Sequence, residues 1–316
     1  MNTLQKLSVI EEDIEKSKIK LEQLYEARKK ASEPITRLTE PHPLLIAAAV
    51  QPQQYRLLAQ GDSWFDYLPG KDLIEYLRHR HGHIIENIGV GGSTLNDIVY
   101  GPVPKNWLGI PQSHDVSRIA ELIHLIEKIR PHAILLSGGG NDIAGQEFFS
   151  LINNALSNLE NPNKEVIHGV LFETFRKAYE DLIGTIKAKA EKLGITLPIF
   201  VHGYDYPWPD GRGVTMFNLV GPWFDDTFNK KNYPYKNNDK TQLGKRYEVV
   251  KVFIDEFNGM LKELASSNPQ SVYYVDLRNT LTSKDDWANE LHPTNDGFLA
   301  LSDKFNFELH KVLINV

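Results

Sequence analysis

Five short apolar runs, each followed by a stretch of helical periodicity, constrain this chain more than any other feature of its sequence. YRLLAQG (55–61), IIENIG (84–89), AILLSGG (133–139), LPIFVHG (197–203) and SVYYVDL (271–277) read as strands. DLIEYLRHR (72–80), SRIAELIHLIEKI (117–129), VLFETFRKAYEDLIGTIKAKAEKLG (170–194), RYEVVKVFIDEFNGMLKELA (246–265) and DGFLALSDKFNFELHKVL (296–313) carry apolar positions at helical spacing. Alternation of this kind implies a parallel sheet with helices on both faces. The expected fold is therefore α/β, with a five-stranded parallel sheet as the middle layer of three.

Two segments stand outside the alternation. In residues 4–32, Leu7, Ile10, Ile14, Leu21 and Leu24 fall at three- and four-residue spacings among Glu and Lys, predicting one long amphipathic helix. Ser17 and Arg28 interrupt the seam, so packing on the main domain is favoured over pairing of two copies through this helix. The segment EPITRLTEPHP (34–43) reads as a proline-rich linker, dividing the chain into an extension (1–50) and a main domain (51–316). The second exception is a stretch at 204–245, rich in Pro, Gly, Asn and aromatics. Its aromatics argue against disorder, so it is expected to be an ordered excursion at the sheet edge, with Trp208 and Trp223 walling a substrate pocket.

Composition removes several function classes. The 316 residues contain no cysteine, which excludes disulfides, thiolate metal sites and cysteine nucleophiles. With 35 basic against 41 acidic residues and no long basic run, no nucleic-acid partner is expected. The longest apolar run, Leu44 to Val50, is far short of the roughly 20 residues of a membrane-spanning helix. The first residues mix acids and bases throughout and do not read as a secretory signal, so a cytoplasmic location is expected.

Ligands of open parallel sheets sit at the carboxyl ends of the strands. There the sequence places Gly61-Asp62-Ser63-Trp64, then Gly89-Val90-Gly91-Gly92-Ser93-Thr94, then Gly138-Gly139-Gly140-Asn141-Asp142, then His202-Gly203-Tyr204-Asp205, then Asp276. Asn289-Glu290-Leu291-His292-Pro293-Thr294 precedes the last helix. A hydroxyl, an imidazole and several amide donors converge on one edge, the constituents of acyl-transfer chemistry.

These residues resemble the GDSL/SGNH hydrolase superfamily over roughly residues 54–315. GDSW (61–64), VGGST (90–94), GGND (139–142) and ELHPT (290–294) match its four blocks in order. The resemblance implies a flavodoxin-like sheet and hydrolysis of small-molecule esters without metal or cofactor. It assigns Ser63 as nucleophile and His292 as base. The oxyanion hole falls to Ser63, Gly92 and Asn141. The family usually carries an aspartate three residues before the histidine, where this chain has Asn289. An asparagine carbonyl can fix the imidazole tautomer but adds no charge. Asn289 is the first candidate for orienting His292; Asp276, Asp285, Asp286 and Glu290 are alternatives, as is a plain dyad. The sequence also leaves open a ligand-binding protein on the same fold and an acyltransferase. His79, His81 and His83 beside Arg78 and Arg80 read as solvated residues at a helix end, and Asp62 and Asp142 as acceptors for loop amides.

Overall fold

A computed structural model describes residues 2–32, 53–68, 70–103, 116–214, 220–236 and 242–314. The linker predicted at 34–43 and the apolar run Leu44 to Val50 lie outside the described residues. The chain opens with α1 (Thr3–Ser32), followed by β1 (Arg56–Gln60), α2 (Leu73–His79), β2 (Ile84–Asn87), α3 (Leu95–Tyr100), α4 (Arg118–Ile129) and β3 (Ala133–Leu136). Two single-turn helices, α5 (Gly140–Ile143) and α6 (Phe148–Leu151), precede α7 (Lys164–Val170). A π-helical turn at Leu171–Phe175 joins α7 to α8 (Arg176–Lys192). Then come β4 (Ile199–His202), α9 (Asp225–Lys230), α10 (Lys245–Ser266), β5 (Val272–Val275) and α11 (Asn295–Leu313).

All pairings in the sheet are parallel, and the strand order is β2-β1-β3-β4-β5. This is the flavodoxin-like order, in which the chain reverses its direction of travel across the sheet after β2. Right-handed crossovers then place α2 and α11 on one face and α4, α8 and α10 on the other. The contacts agree, with α2 against α11 and α8 against both α4 and α10. Strands β3 and β4 are buried along their whole length, as expected of a sheet covered on both sides.

Helices that begin at the functional edge are capped by the residue types that accept orphan N–H groups. Asp72 accepts from Glu75, Ser117 from Ala120 and Thr294 from Gly297. Thr94 and Asp97 form a reciprocal capping box at α3. The Thr294 cap fixes the start of α11 two residues after His292.

Helix α1 packs on α4 and α8, burying Leu7, Ile14 and Leu21. Charges reinforce the docking. Lys189 on α8 is 3% exposed and pairs with Glu11 at 3.1 Å and Glu127 at 2.6 Å. Lys6 reaches Asp181 and Arg28 reaches Glu121, each at 2.6 Å. The apolar seam that the sequence offered to either partner is covered by the chain's own helices. Leu21→Ala should therefore lower stability by about 2–5 kcal/mol, with a denaturation midpoint independent of protein concentration. Urea titrations at two protein concentrations check this; a midpoint that moves with concentration would assign the seam to a second copy.

Candidate active site

The reversal in strand order opens a crevice between the carboxyl ends of β1 and β3, and the glycine-rich blocks emerge into it. Gly61 stands where β1 ends, and a Cβ there would meet the Phe65 ring at 2.7 Å and Ser137 Cβ at 2.8 Å. Only glycine lets the Ser63 turn pass this close to β3. Ser63 is partly exposed at the crest of that turn.

His292 Nε2 lies 2.7 Å from Ser63 Oγ, across 229 residues of sequence. The Ser63 hydroxyl donates to this nitrogen, which requires Nε2 to be unprotonated and Nδ1 to carry the hydrogen. Nδ1–H then donates to Asn289 Oδ1 at 3.0 Å. That oxygen also accepts the backbone N–H groups of Leu291 at 3.0 Å and His292 at 2.9 Å. Three donors on one atom fix the amide orientation, since nitrogen could not accept them. The Asn289 Nδ2 donates in turn to the Tyr67 hydroxyl at 3.1 Å. The Tyr67 ring stacks on the imidazole with centroids 4.3 Å apart, and Trp223 meets it edge-on at 5.6 Å.

The other acidic candidates are held elsewhere. Asp276 binds Arg278, and Asp286 accepts the N–H groups of Thr282 and Ser283. Asp285 is exposed. The buried Glu290 carboxylate accepts from Gly211, Trp223 and Phe224, which laces the histidine turn to the 204–245 excursion. Burial pushes Glu290 up to about 7 against these three donors.

Among the described residues His292 thus has no carboxylate partner, and burial lowers its pKa to about 3. A neutral imidazole is the form able to accept the Ser63 proton.

The remaining blocks meet Ser63 from two sides. Gly91 N–H donates to Asp66 Oδ2 at 2.9 Å, and Asn87 Nδ2 to the Phe65 carbonyl at 2.7 Å, tying the glycine loop to the nucleophile turn. Gly92 follows with φ 79°, a left-handed backbone, and open space where a side chain would stand. Asn141 lines the same pocket as Ser63. Its Nδ2 donates to the Ser93 carbonyl at 3.0 Å. An amide nitrogen carries two hydrogens, so one remains for a ligand.

The pocket runs inward from the half-exposed Ser63, Asn141 and Leu291 to the buried Ile143, Phe224, Ile254 and Trp287. The pocket is small, about 40 Å³. This corrects the expectation from the sequence for Trp208. The wall supplied by the excursion is Tyr204, Asp205, Pro207 and Phe224. Trp208 packs on Tyr247 of α10, and Trp223 borders His292.

Asp62 and Asp142 do accept loop amides, from Trp64 at 3.0 Å and Leu95 at 2.7 Å respectively. Tyr204, placed at this edge by the sequence, completes the surroundings of the site together with Tyr67 and Arg118, and sequence reading missed the last two. Their partners are distant in the chain, and nothing local marks them. Against the expectation of solvated side chains, His83 is buried and bonds to Asn306 on α11 and the half-buried His81 pairs with Asp303, whereas His79 is exposed. Among the described residues, no three His, Asp or Glu side chains stand together as ligands for a metal. Likewise, no described helix is long and apolar enough to cross a membrane.

A family model described as GDSL-like Lipase/Acylhydrolase matches residues 57–305. Among solved structures, an extracellular lipase from Streptomyces rimosus is similar at 12% identity, covering 80% of this chain and 99% of its own, with a TM-score of 0.49. Est24, a carbohydrate acetylesterase from Sinorhizobium meliloti, is similar at 13% identity over 82% and 99%, with a TM-score of 0.46. A family 3 carbohydrate esterase from Clostridium thermocellum is similar at 14% identity over 83% and 98%, with a TM-score of 0.45. No curated protein sequence matches the chain.

The low pKa of His292 sets the acid side of any reaction it serves. A base that charges only near pH 3 stays neutral at pH 5, so kcat/KM should be flat from about pH 8 down to about pH 5. Asn289→Asp adds a carboxylate that favours the imidazolium, and its acid limb should move upward. Rate profiles of the two proteins check this. A wild-type limb near the ordinary histidine value of about 6.5 would show that burial does not control this group.

Proposed function

Because the chain belongs to the GDSL-like lipase/acylhydrolase family, we propose that it hydrolyses carboxylic esters through an acyl-enzyme on Ser63. The observation carrying this reading is the 2.7 Å contact between Ser63 Oγ and His292 Nε2 at the carboxyl edge of the sheet. A serine hydroxyl is a weak nucleophile until a base takes its proton. In the proposed reaction, Ser63 Oγ bonds to the ester carbonyl carbon while its proton passes to His292 Nε2. The carbonyl oxygen becomes an oxyanion facing the backbone N–H groups of Ser63 and Gly92 and the free amide hydrogen of Asn141. Collapse of the intermediate breaks the bond to the alcohol oxygen, which leaves with the proton from His292. Water then attacks the acyl-enzyme, His292 takes and returns its proton, and the carboxylic acid departs. Asn289 holds the imidazole in the required tautomer throughout, as a neutral partner.

The narrow slot beneath Ser63 receives the acyl group. Its volume favours acyl chains of two or three carbons, stopped by the buried Ile143, Phe224 and Ile254. The alcohol half lies outward, where Trp223, Pro222, Phe149 and Gln146 border a much wider groove of about 580 Å³.

Two experiments test the reading. Ser63→Ala and His292→Ala should each reduce p-nitrophenyl acetate hydrolysis by about a thousandfold or more without unfolding the protein. Their combination should be little worse, because the two act as a unit. Multiplicative losses would break the paired assignment, and a wild-type protein that binds esters without cleaving them would favour the ligand-binding reading. In the second, p-nitrophenyl acetate should be preferred over the octanoate by about tenfold or more, with Ile254→Ala narrowing the gap. Equal rates for both chain lengths would remove the slot from the acyl site.

A further inference from the structure

We propose that Arg118, buried behind the glycine loop, is a positioning residue that holds the oxyanion donors in place and sets a positive charge behind them. The proposal rests on the esterase reading above and adds a residue that none of the four sequence blocks contains.

Arg118 is the first helical residue of α4, just after the cap Ser117, and is 2% exposed. Its Nη1 donates to Ser93 Oγ at 2.7 Å, and Nη2 reaches the carbonyls of Gly61 at 3.4 Å and Ile88 at 3.5 Å. One guanidinium thus touches the residue that opens the nucleophile turn, the end of β2 and the glycine loop. The Ser93 hydroxyl donates onward to the Val90 carbonyl at 2.7 Å, which closes the loop on itself. The Ser93 carbonyl receives Asn141 Nδ2, so the third donor is located through the same residue.

The placement runs against local physics in three ways. A buried charge is costly unless it is directly paired, yet among the described residues the acceptors of this guanidinium are neutral, and the carboxylates of Glu121, Asp97 and Asp62 act on it only through space. The nearest carboxylate on its own helix, Glu121, is already paired with Arg28 at 2.6 Å. A cation in the first turn of a helix also opposes the helix dipole. Local conflicts of this kind concentrate at functional sites, where another gain offsets them. Here the gain is electrostatic. A fixed cation behind a loop of amides favours negative charge in front of them, in a region from which water is largely excluded. That charge exists on the substrate oxygen only in the transition state and tetrahedral intermediate. Arg118 should therefore affect turnover more than substrate binding.

The test compares Arg118→Lys, Arg118→Gln and Ser93→Ala with the wild type in melting temperature, kcat and KM for p-nitrophenyl acetate. Gln keeps a donor for Ser93 without the charge, and Lys keeps the charge without the fork. In Arg118→Gln, kcat should fall about ten- to a hundredfold with KM changed less than about twofold, and Arg118→Lys should recover part of that loss. Ser93→Ala, the gentler variant should the arginine changes unfold the protein, should also lower kcat at nearly constant KM. Unchanged kcat in folded Arg118→Gln, or in Ser93→Ala when the arginine variants do not fold, overturns the proposal and leaves Arg118 a structural residue. A wild type with no esterase activity overturns this proposal together with the reading beneath it; an active wild type with an unaffected Arg118→Gln overturns this one alone.

Discussion

The Asp62 carboxylate is the knot on which the functional edge depends. It is buried, and it accepts the Ser137 hydroxyl at 2.8 Å, the Trp64 N–H at 3.0 Å and the Tyr204 hydroxyl. Those partners belong to the ends of β1, β3 and β4, so one anion fixes three strand ends relative to each other. Tyr204 extends the knot by accepting the Gly140 N–H at 3.0 Å, one residue before Asn141. A second buried carboxylate repeats the device: Asp205 takes the N–H groups of Tyr206, Asn279, Thr280 and Leu281, holding the loop after β5 to the end of β4. Buried carboxylates are tolerated where several donors surround them. Loops of this kind hold their shape because two anions organise them, and losing either would leave several buried donors unmatched.

The histidine arrives by a different route. Its turn lies at the far end of the chain and is anchored by Trp64 Nε1, which donates to the Leu291 carbonyl at 3.1 Å, and by the Thr294 cap of α11. The 204–245 excursion closes over it, held by Glu290 and by Arg212, whose guanidinium reaches the carbonyls of Trp287 and Lys284. The outcome is a base surrounded by aromatic rings and a neutral amide. With no carboxylate beside it among the described residues, the imidazole is tuned by desolvation, which keeps it neutral. In the proposed reaction the same burial weakens its hold on the proton once taken, so the proposed oxyanion donors would carry more of the stabilisation.

Much of this was legible in the sequence, and what was not has physical reasons. The five strands declare themselves because buried parallel strands are continuous apolar runs, and the long helices because their faces repeat. Three of the four blocks are readable because each sits within a few residues of one strand end, and the fourth immediately precedes α11. Asn289 is a candidate because the resemblance places an aspartate at that position, and its oxygen accepts three donors. Short helices such as α3, α6 and α9 escaped because a single turn has no periodicity to detect. Helix α7 was missed for a similar reason, so the long helix was expected to begin at residue 170 rather than at Lys164. Trp208 was misplaced because aromatic content does not say which face of a loop a ring occupies. Nothing in the sequence marks Arg118, since its partners lie between 25 and 57 residues away.

The central claim is that Ser63 is a nucleophile activated by a neutral, buried histidine. The most direct measurement is intact-protein mass spectrometry, with peptide mapping, after incubation of the folded enzyme with a p-nitrophenyl alkylphosphonate. The account predicts a single covalent adduct, located on Ser63, forming at pH 6 nearly as fast as at pH 8. An unmodified protein, or an adduct on any residue other than Ser63, would contradict it.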